Sequence, residues 1–244
     1  MELTILGYWG GYPSAGGATA GYLITTDEGR ILLDCGSGVM SRLAAHTTVE
    51  QLDGVILSHL HYDHMADIGV LQYAAAGAIR NKRMSRKLSI FAPDEPAAMR
   101  HMLDDPHTEM TAIEPGFRTR LAGADIQFAP VEHTVPCYAV KITCQGRTIV
   151  YSGDTAYCET LVELARDADL LLCEATILEG SGHTTGQGHM NAVEAATVAH
   201  KANAKKLLLV HLPCDARPDE MKRLACSVFH GPVLLPDTET TYRI

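Results

Sequence analysis

The sequence predicts an α/β protein, a four-layer αββα sandwich in which two mixed β-sheets pack face to face with helices outside. Short apolar runs typical of buried strands occur in both halves of the chain, and runs with helical patterning are interspersed among them. No stretch has the composition of a linker between domains. A length of 244 residues is enough to bury a sizeable core. We therefore expect one domain spanning residues 1–244.

The first half of the chain supplies five strand-like runs and one helix. The runs cover residues 3–6, 21–25, 30–33, 54–57 and 88–91. Residues 66–79 are rich in alanine, a strong helix former, and predict a helix between the last two strands. The apolar positions of this helix are too continuous for full exposure, so we expect it to be buried or to lie at an interface.

The second half repeats the alternation. Strand-like runs cover residues 124–129, 138–143, 148–151, 170–173, 207–210 and 233–235, and helices are predicted over 159–166, 191–202 and 218–228. Residues 104–120 contain two prolines and a glycine and show no regular pattern. Long irregular segments are uncommon unless they are functional or disordered, and the sequence leaves open whether this one is a lid, a substrate rim or a disordered loop.

Residues 57–64 carry four side chains able to bind a divalent metal, directly after a run typical of a buried strand. His59 and His61 are two positions apart, so an extended backbone directs both imidazoles to one side, where they can share an ion. Asp63 and His64 follow and are positioned for a second ion. An isolated His-x-His pair would be a weak signal in a chain with 12 histidines. The complete His-x-His-x-Asp-His pattern behind a strand is far more specific.

Four further polar residues each follow a strand-like run. They are Asp34 in ILLDCG, His133 in VEHTVP, Asp154 in YSGDT, and His211 after LLLV. Loops that follow neighbouring strands can converge on one edge of a sheet. In this order, together with residues 57–64, they resemble the landmarks of the metallo-β-lactamase-fold hydrolases. The resemblance extends over nearly the whole chain.

The resemblance implies the sandwich fold and a ligand set for two divalent ions. In that ligand set the first ion is bound by His59, His61 and His133, the second by Asp63, His64 and His211, and Asp154 bridges them. Asp34 is expected to hold the metal loop or a ligand imidazole by hydrogen bonds. Imidazole and carboxylate ligands suit zinc, manganese or iron, and we expect zinc.

Two such ions support hydrolysis. Metals about 3.5–4 Å apart can share a water, lower its pKa towards about 7 and stabilise charge on substrate oxygens. The resemblance implies a metal-bridging hydroxide as nucleophile and Asp63 as acceptor of its proton. A phosphodiester and an acyl group are both open as targets.

The segment from Gly188 to Ala196 (GHMNAVEAA) resembles one in ribonuclease Z-like members, in which a His before a helix approaches the scissile phosphate. A helix start also favours an anion. We therefore assign His189 as phosphate binder and general acid for the leaving oxygen. The alternative is an ordinary residue at a helix entry. His183, in the preceding glycine-rich loop, is interpreted as incidental.

The chain departs from the ribonuclease Z pattern in one respect. Enzymes of that family that mature transfer RNA usually carry a long Gly/Pro-rich arm between the landmarks His133 and Asp154. Here only residues 134–153 separate them, enough for two strands and the turn at 145–147. This argues against transfer RNA 3′ processing and favours a small phosphodiester or a short nucleic acid as substrate.

The charge balance supports a smaller substrate. A formal net charge of -9 argues against broad electrostatic capture of nucleic acid, which depends on Lys and Arg. The basic run at residues 80–87 is interpreted as a solvated turn between a helix and a strand.

The sequence also predicts a cytoplasmic protein. No apolar run approaches the roughly 18 residues of a membrane span, and the first residues do not resemble a signal peptide. The seven cysteines are odd in number and scattered, which fits free thiols in a reducing compartment. Cys137 and Cys214 lie near predicted ligands but are not ligand positions in the family pattern.

We therefore predict a dinuclear metal-dependent phosphodiesterase of the ribonuclease Z-like branch. By family analogy we expect a homodimer, formed partly through residues 66–79. An acyl hydrolase of the same fold, acting on a thioester, lactone or β-lactam, is the alternative enzyme. A metal-binding or RNA-binding scaffold without turnover is the alternative of another class. His189 counts against a scaffold, which has no use for a leaving-group acid.

Overall fold

The first of two β-sheets is built mainly from the N-terminal half of the chain. The structure, a computed structural model, describes residues 1–179 and 186–244. The strands of this sheet are β1 (Glu2–Gly7), β2 (Gly21–Thr25), β3 (Arg30–Leu33), β4 (Gly54–Ile56), β5 (Leu88–Ala92), β6 (Thr108–Ala112) and β14 (Thr241–Arg243). Their spatial order is β14-β1-β2-β3-β4-β5-β6, antiparallel from β14 to β3 and parallel from β3 to β6.

The second sheet mirrors the first. Its strands are β7 (Arg118–Leu121), β8 (Ala124–Val131), β9 (Cys137–Cys144), β10 (Arg147–Tyr151), β11 (Leu170–Glu174), β12 (Leu207–Val210) and β13 (Val233–Leu234). The order is β13-β12-β11-β10-β9-β8-β7, antiparallel from β7 to β10 and parallel from β10 to β13.

Helices cover the outer faces of both sheets. They are α1 (Val39–Leu43), α2 (Tyr62–Met65), α3 (Ile68–Arg80), α4 (Ala97–Arg100), α5 (Glu159–Leu164), α6 (Ala192–Lys201) and α7 (Pro218–Cys226), with 3-10 turns at Val49–Gln51 and His101–Leu103. Side chains of α1 and α3 pack on the first sheet, and those of α5, α6 and α7 pack on the second. This arrangement confirms the predicted αββα sandwich. No helix in the described part of the chain is both long and apolar enough to cross a membrane.

The central core lies between the two sheets. Ile149 and Tyr151 of β10 point into it, whereas Val150 points towards the outer helices. Burial of both faces explains why these strands read as continuous apolar runs. Both sheets contribute to this core, with Tyr22 of β2 packed against Tyr151 at a ring distance of 5.1 Å. On this ground we propose that residues 1–244 form one domain.

The predicted helix over residues 66–79 corresponds to α3, which begins two residues later than expected and follows a separate short helix. The short helix α2 carries Asp63 and His64, and α3 begins only at Ile68. Between them the Asp67 amide donates to the carbonyl of Cys35, a tertiary bond in place of a helical one. One face of α3 is buried, as expected, but Val70 and Tyr73 on the other are 54% and 84% exposed.

The prediction that residues 104–120 have no regular structure is wrong. The segment contains β6 and β7, which are the edge strands of the first and second sheets, so it carries the chain from one sheet to the other. Edge strands are half solvated and carry polar residues, as in Thr-Glu-Met-Thr-Ala and Arg-Thr-Arg-Leu. Because of this polarity, the two segments were not predicted to be strands.

Candidate metal centre

All seven predicted ligands lie close together at one edge of the two sheets, in loops that follow strands and in α2. They form two groups that share Asp154. The first group is His59, His61, His133 and Asp154, and the second is Asp63, His64, Asp154 and His211. Within each group the potential ligand atoms lie within 4.8 Å of one another.

In the first group three ring nitrogens converge. Nδ1 of His61 lies 3.1 Å from Nε2 of His59 and 3.1 Å from Nε2 of His133. Oδ2 of Asp154 is 3.7 Å from Nε2 of His59. The other ring nitrogen of His133, Nδ1, points away from this group and donates to the carbonyl of Gly188 at 2.9 Å. Its Nε2 is therefore the nitrogen available to a metal.

The second group converges in the same way. Nε2 of His211 lies 3.1 Å from Nε2 of His64 and 3.0 Å from Oδ2 of Asp63. The two oxygens of Asp154 are each 3.3 Å from one of these imidazoles. The amide of Gly11 donates to Oδ2 of Asp63 at 2.8 Å and orients this carboxylate.

These residues fit a divalent ion. Two ring nitrogens 3.1 Å apart repel each other unless a proton or a metal ion lies between them. Oδ1 of Asp154 is buried and has no hydrogen-bond partner among the described residues. A buried, unpaired carboxylate oxygen is costly, and a cation removes that cost. Imidazole nitrogens and carboxylate oxygens are also the ligands that zinc and related ions take.

The pKa shifts of these residues also favour a bound cation. Burial raises the pKa of Asp154, but the neighbouring His211, His64 and His59 bring it well below its usual value. Burial lowers the pKa of His59, and the nearby His64 lowers it further, so His59 is neutral. Burial opposes the protonation of His64, yet the carboxylates of Asp154, Asp34 and Asp63 raise its pKa. Metal binding displaces such a proton.

Asp34 is fully buried beneath the second group. Its Oδ2 accepts from Nδ1 of His64 at 2.7 Å, from Oγ of Ser58 at 2.9 Å and from the Tyr151 hydroxyl at 2.8 Å. Its Oδ1 accepts from the Ser58 amide at 2.7 Å. Asp34 thus contacts both the metal loop and a predicted ligand imidazole.

His189 lies beside both groups. Its ring is 5.1 Å from that of His133 and stacks on that of His211 at 5.7 Å. Its Nδ1 donates to Oε1 of Glu174 at 2.9 Å. Burial opposes protonation, but the hydrogen bond and the charge of Glu174 raise the pKa of His189 to about 9. The helix itself begins later, at Ala192, with Asn191 as its cap.

Glu174 and Thr176 also lie at the site and were not predicted from the sequence. Glu174 ends β11 fully buried and accepts from the amides of Thr155 and Met190 as well as from His189. The signal that was available is the charged residue at the end of an otherwise apolar strand, LLLCE. A buried carboxylate must have partners, and at a sheet edge rich in histidine those partners are functional candidates.

The two cysteines that lie near predicted ligands in the sequence do not contribute to the ligand groups. Cys137 is buried, and Cys214 donates from Sγ to the carbonyl of Tyr12 at 2.8 Å. Neither belongs to the two predicted ligand groups among the described residues. His183 lies outside the described residues.

The chain is similar to known proteins over most of its length. Residues 29–212 match the family model described as the beta-lactamase superfamily domain. The probable metallo-hydrolase YhfI of Bacillus subtilis (strain 168) is 37% identical over 234 residues, 96% of each chain. A crystal structure of YhfI superposes with a TM-score of 0.91 at 36% identity, covering 99% of this chain and 98% of that one. A ribonuclease Z of Haloarcula marismortui is 28% identical, covering 100% of this chain and 97% of the relative.

This chain belongs to the beta-lactamase superfamily, and it is a metal-dependent hydrolase of the metallo-β-lactamase fold. Within that class it falls in the ribonuclease Z-like branch.

Proposed function

We propose that the protein is a dinuclear phosphodiesterase that cleaves small phosphodiesters or short nucleic acids. The observation that carries this proposal is His189, held by the buried Glu174 beside both ligand groups. A cationic imidazole next to two ion positions suits a phosphate oxygen and a leaving alkoxide. An acyl hydrolase or a metal-binding scaffold does not require a cationic imidazole at this place.

Each residue has a separate task in this proposal. The two ligand groups, joined by Asp154, would hold two divalent ions, which would supply Lewis-acid activation of a water near neutral pH and charge stabilisation on the phosphate oxygens. Asp63 is the proposed acceptor of the proton of that water. His64 and His211 lower the pKa of Asp63 against the effect of burial, so its carboxylate is ionised and has lone pairs available. The Asp63 side chain is 12% exposed, so it reaches the opening of the site.

His189 binds the phosphate and protonates the leaving oxygen. Its side chain is 27% exposed, so a substrate can touch it. With a pKa of about 9 the imidazole carries a proton at neutral pH. Glu174 accepts at Nδ1, which leaves Nε2–H as the acid that faces the substrate.

The substrate is proposed to be smaller than transfer RNA. Strands β9 and β10 are joined by a tight turn in which Cys144 pairs with Arg147, so the long arm does not occur between His133 and Asp154. The relatives named ribonuclease Z support a nucleic acid or a fragment of one as substrate.

Zinc, a homodimer and a cytoplasmic location complete the proposal. Zinc is favoured by the histidine-rich ligand groups, with manganese or iron as alternatives. The dimer is supported by the exposed Val70 and Tyr73 on α3. All seven cysteines lie in the described residues and are free thiols, which suits a reducing compartment.

The test is hydrolysis of bis(p-nitrophenyl) phosphate by protein loaded with zinc or with manganese, against a chelated sample. We expect turnover that requires metal. Two ions bound without turnover would contradict the phosphodiesterase proposal and favour acyl substrates.

His189→Ala refines this test by leaving-group dependence. On a dinucleoside phosphate, whose alkoxide leaving group needs a proton, we expect a loss of about 10²–10⁴-fold. On bis(p-nitrophenyl) phosphate the loss should be far smaller, because p-nitrophenolate leaves without one. Both ions should stay bound. His101→Ala is the matched control, since His101 is 80% exposed and, among the described residues, its ring pairs with Asp104 alone. An equal loss on both substrates would refute the general-acid role.

A further inference from the structure

Two hydroxyl side chains lie between a buried carboxylate and a predicted ligand imidazole. Oγ of Ser58 is 2.9 Å from Oδ2 of Asp34 and 3.1 Å from Nδ1 of His59. Oγ1 of Thr176 is 2.7 Å from Oε2 of Glu174 and 2.8 Å from Nδ1 of His211. The two arrangements are chemically the same, and we call them the hydroxyl bridges.

The direction of each hydrogen bond follows from the groups involved. An ionised carboxylate can only accept, and a hydroxyl has one hydrogen and two lone pairs. Each hydroxyl therefore donates to its carboxylate and accepts from Nδ1–H of its imidazole. Oγ1 of Thr176 also lies 3.1 Å from the carbonyl of His211, but the charged Oε2 is nearer and is the stronger acceptor.

This direction determines which ring nitrogen is free. With the hydrogen on Nδ1, Nε2 of His59 and Nε2 of His211 are left to bind a cation. Both face Asp154, at 3.7 and 3.3 Å from its Oδ2. Without its hydroxyl an imidazole loses the partner that selects this tautomer and this ring orientation.

The two bridges serve different ligand groups. His59 belongs to the first group and His211 to the second. Two of the three remaining imidazoles are held otherwise, His64 directly by Asp34 and His133 by the carbonyl of Gly188.

Removing a hydroxyl leaves each carboxylate with other donors. Asp34 still accepts from His64 and Tyr151, and Glu174 still accepts from Thr155 and His189.

We propose that Ser58 and Thr176 are positioning residues that set metal affinity separately at the two positions, Ser58 at the first and Thr176 at the second. This inference rests on the two-ion site of the proposed function and not on the identity of the substrate. Supporting groups of this kind typically change metal affinity by about 10–100-fold.

The test is the zinc affinity of metal-free protein, measured by competition with a chromophoric chelator. Thr176→Val keeps the side-chain shape and removes the hydroxyl, whereas Thr176→Ser retains the hydroxyl and removes the methyl group. We expect Thr176→Val to weaken one ion by about 10–100-fold and leave the other unchanged, with Thr176→Ser close to wild type.

Ser58→Ala is the corresponding change at the first position, and it should also weaken one ion only. In the double variant Ser58→Ala/Thr176→Val both ions should be weak, because the two bridges act at different positions. Thermal unfolding of the metal-free variants checks that the fold is retained.

Several outcomes would overturn the inference. These are a single variant that weakens both ions equally, a Ser variant as weak as the Val variant, and a double variant that keeps one tight ion. Wild-type protein that binds one ion only would overturn this inference and the dinuclear function together. Two ions with the expected variant pattern but no phosphodiesterase turnover would support the bridges and refute the proposed function alone.

Discussion

At the scale of single residues, the candidate site depends on backbone positions as much as on ligands. Gly188 has a φ of +88°, and its carbonyl accepts from Nδ1 of His133. A Cβ added there would lie 2.8 Å from that same nitrogen. The glycine therefore allows the chain to pass close behind a predicted ligand, which a side chain would prevent.

We expect Gly188→Ala to displace His133 and weaken zinc binding, as measured by chelator competition. Gly146→Ala is the matched control, because Gly146 has a φ of +73° and nothing within 4 Å of an added Cβ. Both variants should lose about 1–2 kcal/mol of stability from the left-handed backbone. Equal zinc affinity in the two variants would show that the contact with His133 is unimportant.

At the scale of elements, the parallel strands of the second sheet carry the site at one end and are joined by a carboxylate at the other. Asp169 precedes β11, and its Oδ2 accepts from the amide of Thr148 in β10 at 2.8 Å. Its Oδ1 accepts from Lys205, just before β12, at 2.8 Å and from Arg147 at 3.2 Å. One side chain thus aligns the beginnings of three strands whose ends carry Asp154, Glu174 and His211.

Asp169→Asn should lower the free energy of unfolding at pH 7 by about 1–3 kcal/mol, as measured by urea denaturation. Most of this loss comes from the backbone bond, because Lys205 and Arg147 are 61% and 56% exposed and such pairs contribute little. Asn offers one carbonyl oxygen in place of two charged ones.

The effect of Asp169→Asn should depend on pH. Burial raises the pKa of Asp169, but the hydrogen bonds from Lys205, Thr148 and Arg147 lower it below the value of an unfolded chain. The stabilisation is then complete above the unfolded pKa of about 3.9 and is lost as the pH falls through the lower folded value. The stability difference between wild type and variant should therefore shrink below about pH 4, measured on chelated protein. A constant difference would contradict the assignment.

At the scale of the whole molecule, both sheets bury two faces, one against the other sheet and one against helices. The outer helices have one face on a sheet and one face outward, and the outward face of α3 exposes Val70 and Tyr73. They are two of the five large apolar side chains exposed among the described residues. Such a face suits contact with a second copy of the chain.

We expect light scattering to give twice the chain mass of 26.4 kDa, and Tyr73→Glu to give a monomer because a charge is then buried in the interface. Lys222→Glu, on the exposed side of α7, is the control and should stay dimeric. A wild-type mass of one chain would rule out the dimer.

Much of the fold was predictable because its information is local. The strands 21–25 and 30–33 match β2 and β3 residue for residue, since apolar runs bounded by turns are strong signals. Strands β6 and β7 were missed because edge strands are polar. The start of α3 was predicted two residues too early, because the Asp67 amide makes a tertiary hydrogen bond in place of a helical one.

The sequence by itself determined which residues are candidate ligands, their spacing on residues 57–64 and their position after strands, because strand periodicity and short motifs are properties of neighbouring residues. Only the tertiary structure decided which groups support those ligands. Ser58 reaches Asp34 and Thr176 reaches His211 across 24 and 35 positions of the chain. Such contacts depend on the order of strands in the sheet and on the direction of each hydrogen bond, which no local pattern encodes.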